Sequence, residues 1–191
     1  MLDSTKPWTR TALTGRIKVF GSTLAAGQYL SRKLGHNNHL TTCDDYEDAL
    51  RVRIAPRDDS VVIQCLNGTV SQHWLGLVAG WADGILGANT HHWVALSYTS
   101  GPSANQPESV SQNTEGPIRH SWILGYDGTL RSFWRNDGSP VTYCLDWTVE
   151  LSSKRIYAVS DRKAYVAQYY GTKPEGEASV RLVFEPDEST S

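Results

Sequence analysis

The chain has 191 residues, enough for one domain with a real apolar core. Its formal net charge of −2 gives no basic footprint for nucleic acid, and no apolar run reaches the length that spans a membrane as a helix. Seven Trp and nine Tyr against three Phe and one Met favour side chains that combine an apolar face with a polar handle.

Residues 1–14 read as an N-terminal arm around Pro7 and Trp8. The arm has no apolar stretch of the kind a secretory leader needs. Cys43, Cys65 and Cys144 match no zinc spacing, and three is an odd number for a disulfide framework. Both features point to a cytoplasmic location with free thiols, although a processed secreted chain would read the same way.

A single β domain is expected over 15–186. Arg16–Gly21 places Ile17 and Val19 on one face. Gln28–Arg32, His39–Cys43 and Ala49–Ile54 follow as short strands, the last alternating Leu50, Val52 and Ile54 with polar residues. A second group begins with the β-branched run Ser60–Cys65. Asn67-Gly68 marks a turn, and Thr69–Val78, Ile85–Asn89 and Trp93–Tyr98 read as strands. Residues 99–116, rich in Ser, Asn, Gln and Pro, lack the apolar surface for a packed element and read as a long loop. The third group opens at His120–Trp147, where Asp127-Gly128 and Asn136-Asp137-Gly138 separate three apolar runs. Thr148–Ser152, Arg155–Val159, Ala164–Tyr170 and Val180–Phe184 complete it, and 187–191 is a solvated tail. No segment of ten or more residues shows helical periodicity with caps. Fourteen or fifteen short strands with turn chemistry between them predict an all-β barrel or sandwich. Their repetition in blocks of about 40 residues suggests a β-trefoil of three four-stranded blocks, with another antiparallel sandwich or barrel as the alternative.

Two patterns carry a family resemblance. Gly27-Gln28-Tyr29-Leu30-Ser31, with Leu40-Thr41-Thr42 downstream, resembles the fascin-type repeat. Trp122, then Asp127-Gly128-Thr129-Leu130, then Cys144-Leu145-Asp146 resembles the ricin-B-type repeat of β-trefoil lectins, and Gln72-His73-Trp74 is similar to that family's Q-x-W signature. His91-His92-Trp93 and His120-Ser121-Trp122 are degenerate echoes of it. The resemblance implies a carbohydrate-binding protein whose partners are glycans or glycoproteins. It makes Asp146 the acid that bonds sugar hydroxyls.

Sugars are recognised by an aromatic platform under the ring and by fixed carboxylates or amides on vicinal hydroxyls. Three clusters have those residue types. The first is Asp146 and Trp147 with Tyr165, Gln168 and Tyr169, where the ricin-B-type resemblance implies Tyr165 as the platform. The second is Trp81 and Asp83 with Asn89. The third is Trp134 with Asn136 and Asp137. The plainer account of each is a turn Asp or Asn beside a core aromatic. His91 and His92, if on a strand, point to opposite faces, so shared metal ligation is not expected. No nucleophile elbow or phosphate-cradling loop is present, so no cofactor is expected and binding is favoured over catalysis. A protein partner gripped by the 99–116 loop is the competing expectation, and a Cys- or His-dependent hydrolase the weakest.

Overall fold

The structure is a computed structural model. It describes residues 11–24, 27–71, 73–101, 109, 112, 117–171 and 174–188. Gln72 of the Q-x-W match, most of the arm, the end of the tail and most of the 99–116 stretch therefore lie outside the described residues.

The described residues form fourteen strands and one α-helix. The first half contains β1 (Leu13–Gly21), β2 (Gln28–Leu34), β3 (Leu40–Cys43), β4 (Arg51–Arg57), β5 (Ser60–Cys65), β6 (Trp74–Ala79) and β7 (Trp93–Thr99). The second contains β8 (Ile118–Arg119), β9 (Trp122–Leu124), β10 (Thr129–Arg135), β11 (Thr142–Cys144), β12 (Asp146–Glu150), β13 (Ile156–Val159), helix α1 (Arg162–Tyr169) and β14 (Glu177–Pro186). Every pairing between strands is antiparallel, because short turns join neighbours and few crossovers intervene.

Alternation decides what each strand buries. In β1 and β4, Ile17, Val19, Val52 and Ile54 point inward and are at most 2 % exposed, while Arg16, Lys18, Arg51 and Arg53 point out. The circuit β1-β4-β5-β6-β7-β13-β12-β14 returns to β1 and closes an eight-stranded barrel. Its interior is filled by side chains such as Ile63, Leu75, Leu77, Leu96, Val149 and Leu182, as expected for a barrel of that size. The β9–β10 hairpin is a second closure. Val61 of β5 pairs with Trp122 of β9, and Thr129 and Leu130 of β10 pair with Val183 and Leu182 of β14. It carries Trp122 inward onto Trp147, the two rings stacked 5.7 Å apart and 6° from parallel.

The all-β, antiparallel expectation holds, and so do two of the turns, whereas Asn67-Gly68 lies in a longer irregular connection and the next strand starts at Trp74, not Thr69. Asp127-Gly128 closes β9–β10 with Gly128 at φ +78°, and the Asp127 carboxylate accepts from the Thr129 N–H and hydroxyl. Gly138, at φ +73°, turns the chain between β10 and β11. The closed circuit differs from a six-stranded trefoil barrel capped by three hairpins: it has eight strands, and the rest are added at its rims and edges.

Three local expectations change. Ala164–Tyr170 lies mostly in α1 and not in a strand, because Asp161 caps the helix by accepting from Ala164 N at 2.9 Å. Ile85–Asn89 is loop, broken by Gly84 and Asn89 at positive φ. The arm ends sooner than residue 14, since Leu13 and Thr14 already pair with Ile54 and Arg53.

Candidate functional site

The longest irregular connection fully described links β6 to β7 through residues 80–92. Three glycines, an Asp and an Asn disfavour strand pairing there, so the chain makes successive turns whose polar groups need partners from elsewhere. Gly84 N–H donates to Trp81 O at 2.9 Å, and Asp83 Oδ1 accepts from Ile85 N at 3.0 Å. Trp134 Nε1 donates to Gly84 O at 2.8 Å. Asn136 clamps Leu86 from both sides, its Oδ1 accepting from Leu86 N at 3.0 Å and its Nδ2 donating to Leu86 O at 2.7 Å. Ser160 Oγ accepts from Gly87 N and donates to Gly87 O. Asp161 completes the frame: one oxygen caps α1 and the other accepts from Asn89 N at 2.8 Å. The Ala164 and Asn89 amides hold the Asp161 carboxyl below its ordinary range.

The fixed loop presents an aromatic cluster. Trp81 is 39 % exposed and stacks on His92 with centroids 4.7 Å apart and planes 22° from parallel. His91 meets both rings edge-on, at 5.8 Å from Trp81 and 5.2 Å from His92. It reaches Tyr169 of α1 at 6.0 Å, and Tyr169 packs at 4.9 Å on the buried Tyr165. Tyr169, at 45 % exposed, extends the aromatic surface. The exposed polar side chains of Asp83, Asn89 and Gln168 sit on the two segments that carry these rings.

The expected clusters thus converge in an unexpected way. Trp81, Asp83 and Asn89 lie on the loop, and Tyr165 and Gln168 lie on the helix packed against it. Trp134 and Asn136 form its underside. Several roles need correction. Trp134 is 1 % exposed and supports the loop from within, so it is no platform. Tyr165 is 4 % exposed, and burial pushes its phenol far up, so it carries Tyr169 instead of a ligand. Trp147 is 4 % exposed inside the barrel against Trp122. Asp137 is exposed and paired with Arg119 at 2.6 Å, at a turn tip. Asp146 is exposed at the start of β12 and pairs with Val159, which also pairs with Trp93; this puts it at the barrel end from which the 80–92 loop projects.

His91 and His92 precede β7, so strand alternation does not separate them, and both contact Trp81. Tyr169 was visible only as a neighbour of Tyr165 in sequence; its contact with His91 spans 78 positions and has no local signal. Among the described residues, no group of three or more His, Cys, Asp or Glu is arranged to hold a metal. Compared with known proteins, the chain matches no family model, no curated relative and no solved structure.

Proposed function

We propose that this protein binds carbohydrate at the Trp81–Tyr169 surface. The observation that carries the reading is the exposed indole of Trp81, stacked on His92 above a loop anchored by Asn136, Trp134, Ser160 and Asp161. A large aromatic held rigid and left partly open loses little entropy when a sugar ring covers it. Asp83, Asn89 and Gln168 supply the carboxylate and amide groups that bond equatorial hydroxyls. The ricin-B-like pattern around Asp127-Gly128-Thr129 and Asp146 supports the same class of ligand. The proposal needs no threefold repetition, since one cluster provides both platform and polar groups; in a trefoil lectin three hairpin clefts would share that work.

A glycan array tests it with wild type, Trp81→Ala, Tyr169→Ala and Tyr126→Ala, the last removing an exposed tyrosine outside the cluster. The expected result is a defined set of bound glycans, lost in the first two variants and retained in the third. No binding above background at high protein concentration, or binding unchanged by Trp81→Ala, would overturn the reading.

A further inference from the structure

A second surface lies across the barrel from the aromatic cluster. In the closed circuit β1 is diametrically opposite β7, so the outer face of β4, β1 and β14 is remote from the 80–92 loop. Outward positions on this face are unusually basic for a chain of net charge −2. Arg51 and Arg53 alternate along β4, Arg16 and Lys18 along β1, and Arg181 projects from β14.

The register makes this costly. Arg16 sits directly opposite Arg51, an arrangement that destabilises an antiparallel pair. One carboxylate, Asp187, serves both guanidiniums, at 3.3 Å from Arg16 and 2.8 Å from Arg51. Lys18 is balanced by Glu185. Among the described residues neither Arg53 nor Arg181 has a carboxylate at ion-pair distance. Asp187 offsets the Arg16–Arg51 opposition from within the chain, which leaves Arg53 and Arg181 as the cations of this face that an external anion would balance.

We propose that this face binds a sulfated polysaccharide laid across β4, β1 and β14, with its sulfate esters on Arg53, Arg51 and Arg181. Arg51 and Arg53 alternate along β4 about 7 Å apart, and Arg181, opposite Phe20, lies four residues of β1 (about 13 Å) beyond the Arg16–Arg51 level, so the cations form a diagonal stripe that an extended chain of several sugars spans. A sulfate presents several oxygens and accepts two parallel N–H bonds from one guanidinium, as at Arg53 or Arg181. The aromatics of this face are already capped. The Arg16 guanidinium lies 3.7 Å from the Tyr46 ring centroid and that of Arg181 lies 5.2 Å from Phe20. A single-stranded nucleic acid, which needs bare rings for its bases, is therefore disfavoured. This inference stands independently of the Trp81 reading.

The test is binding of the full chain to immobilised heparin, to fully desulfated heparin, to polyuridylate and to phosphatidylserine vesicles. The variants are Trp81→Ala and the double variant Arg53→Ser/Arg181→Ser, whose residues anchor no internal ion pair; its urea midpoint confirms the fold. The expected result is capture by heparin alone, about tenfold weaker in the double variant, with the salt dependence shallower by about two. Trp81→Ala binds heparin as wild type does. Equal binding by the double variant, tighter binding to polyuridylate or vesicles, loss of heparin binding in Trp81→Ala, or no capture at about 0.1 M salt would each overturn the proposal.

Discussion

Asn136→Ala probes the link between scaffold and site. The Asn136 carboxamide holds both backbone groups of Leu86, at 3.0 and 2.7 Å, and Leu86 is only 1 % exposed. Truncation leaves a buried donor and a buried acceptor without partners, each costing about 1–3 kcal/mol. The loop relieves part of this by shifting toward water, so the expected destabilisation is about 2–4 kcal/mol. With an urea slope of roughly 2 kcal/mol/M, the unfolding midpoint falls by about 1–2 M. Asn136→Asp keeps the acceptor for Leu86 N–H but loses the donor, so it falls between the two. The Leu86 and Gly87 amides exchange their hydrogens faster in both variants. A change under about 0.5 kcal/mol for Asn136→Ala, the size of an ordinary surface substitution, would refute this reasoning. So would an Asn136→Asp variant as stable as wild type.

Gly84→Ala should cost at least about 2 kcal/mol in urea unfolding, since Gly84 has φ +60° and an added Cβ would lie 2.5 Å from the Pro117 ring. Trp147→Ala empties a buried stacking position and should cost about 3–5 kcal/mol, whereas Trp81→Ala should cost under about 1 kcal/mol; equal losses would contradict the assignment of core and platform. Burial lowers the pKa of His120 from its ordinary 6.5 to about 4, while its Nε2 contacts Thr99 Oγ1 at 2.7 Å. Between those two pH values the unfolded chain binds the extra proton, so stability present above pH 6.5 is lost as pH falls toward 4, by about 1–3 kcal/mol after discounting for partial solvent access. Urea midpoints against pH should fall less steeply for His120→Gln over that window; parallel curves for variant and wild type would exclude the effect.

The sequence made the strands legible wherever one face is wet and the other dry. Ile17 and Val19 in β1, and Val52 and Ile54 in β4, alternate cleanly, and the Asp127-Gly128 turn is specified by its two residues. Helix α1 was hidden because its aromatic and β-branched residues favour strands, yet Asp161 before Arg162-Lys163-Ala164 is a capping signal. Residue type named most of the site but could not say which aromatics are buried. Trp134 shares the inward face of β10 with Leu130 and Ser132, and that alternation was available to correct its role. The convergence itself was not legible. Asn136 reaches Leu86 across 50 positions and Asp161 reaches Asn89 across 72, and such contacts follow from barrel closure.

The central claim is that sugar binds on Trp81. The chain has seven tryptophans, so a uniformly 15N-labelled sample gives up to seven indole N–H signals, assigned by replacing each tryptophan in turn. Titration with the strongest array glycan should move the Trp81 signal most, leave the buried Trp122, Trp134 and Trp147 signals nearly still, and leave no response in Trp81→Ala. A glycan that binds without moving the Trp81 signal would contradict the account.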